Sequence, residues 1–286
     1  MHLDIQADVF HSGDQLTVAK LLDLAMTGRH RWRPDRAVAE SAARFAETLP
    51  FKAVKTFVEH ALVEAYKPAA QPATATAVIS SAQLKNLVED LGRPAVLVVE
   101  DEITEECFLL AAAEAFGETD IVQALHNHWL RFSHAGGKDR MVQFVERRRR
   151  EFSVLIRVAA LMDSDRKSAG HRTKNVTYAL QIRALDGGSE VHLWHCRELE
   201  NYVPSRVWEE AFMDRAPAER DAKLASLRGM PHDARHYLDV KEHFGGKMPK
   251  PLIPPQVRLT EQDFDELGPV AVADLRELLA MIRRIL

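Results

Sequence analysis

The sequence predicts an α/β protein: a mostly parallel sheet flanked by helices, with a helical N-terminal region before it and helices after it. Two observations carry this expectation. The runs "AVLVVE" (95–100) and "FSVLIRVAALMDSD" (152–165) hold apolar, β-branched cores without polar alternation, the mark of strands covered on both faces. Helical stretches with glycine stops separate these runs, and such alternation builds parallel sheets.

Taken in order, "DRAVAESAARFAETL" (35–49) repeats small and apolar residues at helical spacing, and Pro50 opens a second helix, "PFKAVKTFVEHALVEAY". "KPAAQPATATAV" (67–78) has linker composition. Ser80 or Ser81 caps the helix "AQLKNLVEDLG", closed by Gly92. After the first apolar strand come the helix "ITEECFLLAAAEAFG", a strand with a glycine turn in "NHWLRFSHAGG" (127–137), and the helix "KDRMVQFVERRRR". The second apolar strand leads into "KNVTYALQIRALDGG", a helix, and "EVHLWHC", a strand. The chain ends in "VADLRELLAMIRRIL", amphipathic at i, i+3, i+4.

A formal charge of −4 excludes a chain that is basic throughout, so any nucleic-acid contact must come from a local patch or from metal ions. Cys107 and Cys196 make neither a disulfide framework nor a zinc quartet, which suits a reducing compartment. No signal peptide or membrane-length apolar run is visible, and a cytoplasmic protein without membrane attachment is expected.

Acids crowd the exits of the strands: Glu100 after the first, then Asp163 and Asp165 after the second apolar run. Ligand sites in parallel α/β sheets lie at the carboxyl ends of strands. Carboxylates gathered there repel one another unless a divalent ion sits among them, and hard oxygen ligands favour Mg2+ or Mn2+. Single acids after strands otherwise serve as helix caps. "VLVVEDE" also opens like a phospho-accepting receiver domain, with Asp163 as the acceptor. The Thr or Ser and the Lys that such a domain needs on its later strands are replaced by His195 and Cys196.

"HCRELENYVP" (195–204) tips the balance. Arg197, Glu198, Glu200, Asn201 and Tyr202 resemble the R-E-x-E-N-Y signature of OLD-family (overcoming lysogenization defect) nucleases, which carry a Toprim domain. The Toprim pattern is a Glu after the first strand, a glycine turn after the second and Asp-x-Asp after the third. Here Glu100, Gly136-Gly137 and Asp163-Ser164-Asp165 are similar to it. Asp101 stands where the family usually has Gly, and Thr104 where it often has an acid, with Glu105 beside it. The resemblance implies a Toprim-like catalytic domain over 80–255, between an N-terminal helical region with linker (1–79) and a C-terminal helical segment (256–286). It implies a metal-dependent DNA endonuclease, active in bacterial defence against phage or plasmids. Its metal ligands would be Glu100, Glu105, Asp163, Asp165 and Glu200, with Glu100 also a base and Lys247 steadying the phosphorane. Lys241 is the less well placed alternative. Arg147, Arg148, Arg149, Arg150 and Arg197 are candidate phosphate contacts.

"HAGGKDR" is not a phosphate-binding Walker A loop, since its first Gly is missing and Asp139 replaces Ser/Thr. OLD-family nucleases carry an ATPase, so a separate ATPase or sensor protein is the partner expected here. The N-terminal helices are expected to pack on the core, to dock that partner or to join a second copy. "HNH" (126–128) lacks the further ligands a metal site needs. A non-catalytic Toprim or receiver-like interaction module is the alternative function. The lack of zinc ligands and of a suitably placed tyrosine counts against primase- or topoisomerase-like chemistry.

Overall fold

The computed structural model describes residues 1–67, 76–185, 188–212, 216–246, 248–254 and 256–286. The strands are β1 (His2–Ile5), β2 (Arg31–Trp32), β3 (Thr76–Ile79), β4 (Ala95–Val99), β5 (Leu130–His134), β6 (Val158–Met162) and β7 (Glu190–Leu193). The helices are α1 (Gln15–Met26), α2 (Arg36–Glu47), α3 (Lys52–Glu64), α4 (Leu84–Gly92), α5 (Glu102–Ala115), α6 (Thr119–His126) and α7 (Met141–Arg149). They continue with α8 (Lys174–Arg183), α9 (Ser205–Ala211), α10 (Pro217–Arg228), α11 (His232–His236), α12 (Val240–His243), α13 (Glu261–Phe264) and α14 (Pro269–Ile285). The α/β class expected from the sequence is the class found. No helix of the described residues is long and apolar enough to cross a membrane.

Two compact units divide the chain. The first comprises Met1–Ala95, Arg150–Arg157 and Arg283–Leu286; the second comprises Val96–Arg149 and Val158–Ile282. These limits differ from the expected 1–79, 80–255 and 256–286, because the chain through α4 to Ala95 and two short segments, Arg150–Arg157 and Arg283–Leu286, join the first unit.

The first unit is not the helical region that the sequence suggested. It builds a parallel sheet in the order β2-β1-β3, with His2 opposite both Arg31 and Thr76 and Ile5 opposite Ile79. Leu3 and Ile5 bury one face of β1 in the same hydrophobic core as Val18, Leu21 and Leu22 of α1, while Asp4 is exposed. Residues 68–75 of the proline-bearing stretch lie outside the described residues, and Thr76–Ile79 is strand rather than linker. Asp14 and Asp35 cap α1 and α2 through the amides of Thr17 and Val38. Buried Asp90 gathers the amides of Ser153, Val154 and Leu155 at 3.0, 2.7 and 2.9 Å. Fully buried Arg157 donates to the carbonyls of Leu91, Arg93, Ile285 and Leu286 at 3.2, 2.9, 2.8 and 3.0 Å. Both side chains close polar backbone that would otherwise be unsatisfied.

The second unit holds the sheet β5-β4-β6-β7, in which β6 pairs parallel with both β4 and β7. Every residue of β4 and β6 is buried, which is why neither strand alternates in sequence. Helices α5 and α6 pack on β5, α7 on β6 and α8 on β7. Register places Val98 opposite Ala160 and Met162 opposite Leu193, so the central strands finish at one edge.

Candidate metal centre

Glu100 is the first residue beyond β4 and Asp163 the first beyond β6, so parallel pairing delivers both carboxylates to the same edge. Glu100 Oε1 accepts from the Asp163 amide at 3.3 Å. Asp163 Oδ1 accepts from the Leu199 amide at 3.0 Å, which ties the third strand exit to the R-E-x-E-N-Y segment. Asp165 adopts φ 54°, a left-handed conformation that Asp tolerates better than most residues. Its amide donates to the Arg197 carbonyl at 2.8 Å, and its carboxylate meets Asn175 Nδ2 at 3.0 Å. The same Asn175 nitrogen holds the Asp163 carbonyl at 2.7 Å, while Ser164 Oγ donates to the Cys196 carbonyl at 2.6 Å. The Asp-x-Asp turn is therefore clamped from both sides.

The glycine turn supplies a cation. The Ala135 amide donates to the Val99 carbonyl at 3.0 Å, which sets the chain after β5 beside Glu100. Gly136 and Gly137 then take φ 73° and 123°, a reversal that disfavours side chains at both positions. Lys138 follows, paired with Asp165 and 3.8 Å from Glu100 Oε2.

Glu198 and Glu200 come from a turn of 3-10 helix at Leu199–Tyr202. Asn201 closes this turn by accepting from the Glu198 amide at 3.0 Å and donating to the carbonyls of Arg235 and Leu238 at 2.8 and 3.1 Å. Tyr202 anchors it from below: its hydroxyl accepts from the Cys196 amide at 2.9 Å and donates to Asp274 on α14. Lys241 of α12 lies 3.0 Å from Glu198 Oε2 and 3.1 Å from Glu200 Oε1. Glu198 Oε1 is buried without a hydrogen-bond partner.

These groups feel one another. Burial, followed by the charges of Glu100 and Glu200, pushes the Asp163 carboxyl well above its ordinary value. Burial raises Glu100 too, against the pull of Lys138. It likewise raises Glu198, which is further raised by Glu200. For Lys138 and Lys241, burial acts downward, but the surrounding carboxylates outweigh it and the ammonium form is favoured in both. The donor set is all hard oxygen and carries excess negative charge, which fits a divalent cation of the magnesium type. Among the described residues, however, no three His, Cys, Asp or Glu side chains are already placed to hold an ion as a group. Ammonium groups stand between the carboxylates instead.

Comparison with family models, with curated proteins and with solved structures finds no match.

Of the residues singled out in the sequence, Glu100, Asp163, Asp165 and Glu200 meet in this cluster. Glu105 is used differently: its buried carboxylate accepts from the amides of Glu100 and Asp101 at 3.2 and 3.0 Å, closing the turn from β4 into α5. Burial pushes its carboxyl up to about 8. Arg197 reaches the rim of the cluster but pairs with Asp239. Arg147, Arg148 and Arg149 end α7, where Arg148 donates to Ser133 Oγ at 2.9 Å and Arg149 bonds Gly188 and Ser189. Arg150 belongs to the first unit. Lys247 lies outside the described residues. Sequence reasoning missed Lys138 and Asn175, and named Glu198 in the signature without giving it a role at the site. The signal for Lys138 was its place directly after the paired glycines, and for Glu198 its place beside Glu200.

Proposed function

We propose that this chain is a divalent-cation-dependent phosphodiesterase of the Toprim type that cleaves DNA. The observation that carries the reading is the meeting of Glu100, Asp163, Asp165 and Glu200 at the carboxyl edge of one parallel sheet. They meet in the order that the resemblance requires: Glu after β4, glycine turn after β5, Asp-x-Asp after β6. Glu100, Asp163, Asp165 and Glu200 would hold the ion. Such an ion polarises a phosphoryl oxygen and lowers the pKa of bound water. The chain's own contribution is orientation: Asn175 fixes Asp165, and the Leu199 amide fixes Asp163. Glu100, whose carboxyl burial raises, stands at the strand exit where it could accept a proton from an attacking water. A cytoplasmic setting, a role in defence and a separate ATPase or sensor partner belong to the proposal through the OLD resemblance.

The ammonium-filled cluster favours a second reading, a non-catalytic module whose acids are neutralised by Lys138 and Lys241. Plasmid cleavage in Mg2+ or Mn2+ separates the two. Asp163→Asn keeps an oxygen for the Leu199 amide and removes one charge from a repelling cluster, so the fold should persist. Cleavage should fall about 100-fold or more, beyond the usual cost of losing an outer-shell contact. A variant as active as the wild type would sink the assignment, and a wild type inert with either metal would favour the module.

A further inference from the structure

Two lysines occupy the places between carboxylates that a ligated cation would take. Lys138 Nζ joins Asp165, beyond β6, to Glu100, beyond β4, at 3.8 Å from Glu100 Oε2. Lys241 Nζ joins Glu198 and Glu200 at 3.0 and 3.1 Å. An ammonium brings one charge and three donors, whereas a divalent ion brings two charges and accepts about six oxygen ligands. The lysines therefore fill these places incompletely. Glu198, 6% exposed, keeps Oε1 buried and unpartnered although its other oxygen meets Lys241. With Glu100, Asp163, Asp165, Glu198 and Glu200 ionised, two ammonium groups leave negative charge uncompensated. Both lysine side chains stay partly open to solvent, at 32% and 44%, so each has a way out.

We infer that Lys138 and Lys241 are exchangeable counter-cations. They hold the carboxylates together without a divalent ion, leave when one binds, and then offer their ammonium groups to the anionic phosphodiester. Neither lysine gives up a proton in the exchange: each stays an ammonium as its carboxylate partners pass to the metal. Glu198, freed from Lys241, becomes a ligand alongside Glu200. This inference rests on the divalent-cation reading above and assigns to Lys138 and Lys241 the phosphate contact that the resemblance implied for Lys247.

The test uses the whole chain, without nucleic acid, with and without Mn2+. Amine acetylation is read by mass spectrometry, and Mn2+ binding is measured by calorimetry in parallel. Mn2+ should raise labelling of Lys138 and Lys241 several-fold and leave Lys250 unchanged, since Lys250 pairs with Asp101 on the exposed surface. Lys138→Met and Lys241→Met should each bind Mn2+ several-fold more tightly, while Lys250→Met, the same loss of charge nearby, should not. Bound Mn2+ with unchanged labelling of both lysines would overturn the exchange alone. Absence of Mn2+ binding would overturn the divalent-cation reading and the exchange with it.

Discussion

His30 shows how one buried polar side chain contributes to the pH response of the first unit. It is 1% exposed, holds the Leu91 carbonyl at 3.1 Å through Nε2, and has no partner for Nδ1. Burial, reinforced by the nearby Arg157 charge, drives its pKa from 6.5 down to about 2. The folded state thus keeps His30 neutral where the unfolded chain binds a proton. Its stabilising contribution is complete above pH 6.5 and is lost as pH falls from there toward about 2. Each pH unit within that window costs up to about 1.4 kcal/mol. Urea unfolding at pH 7.0 and pH 5.5, compared between wild type and His30→Gln, measures the effect. The variant should lose less stability on acidification, and equal losses would contradict it. Glu105 has the opposite sign, because its carboxyl is raised: what it contributes is present below pH 4.5 and lost as pH rises through about 8.

At the scale of elements, the short 3-10 turn Leu199–Tyr202 carries more of the site than any long helix. Glu200 is placed by Tyr202 and Asn201, which pin the turn to α14 and to the backbone around α11. Tyr202→Phe leaves the Cys196 amide and an Asp274 oxygen short of a buried partner, a loss of about 1–3 kcal/mol. Unfolding in the presence of a chelator should show that loss, and Mn2+ should bind more weakly to the variant. Unchanged Mn2+ affinity would mean that the turn does not position Glu200 for a cation. Glu100, Asp163 and Asp165 were legible because they follow apolar runs, where a parallel sheet ends, and Glu200 through its place in the R-E-x-E-N-Y segment. The lysines were not, since a long flexible side chain reaches partners that spacing does not encode: Lys138 meets Asp165 across 27 positions and Lys241 meets Glu198 across 43.

For the whole molecule, the second unit was easier to read than the first. Continuous burial of β4 and β6 leaves an unbroken β-branched signature. In the first unit, β1 has four residues and β2 two, and β1 finds its partner β3 more than seventy positions away. Pairing of that kind leaves little local pattern, and β3 lies beside proline-rich composition that reads as linker. Both units are nonetheless parallel α/β structures, so each brings strand ends to where loops converge, and among the described residues acids crowd the strand exits of the second.

Soaking crystals of the protein in Mn2+ and collecting data at the manganese edge probes the proposed divalent site without intermediaries. The proposed site predicts an anomalous peak among the carboxylates of Glu100, Asp163 and Asp165, with Lys138 turned away from Asp165. A saturating soak that leaves no peak there, with Lys138 still between Glu100 and Asp165, would contradict it.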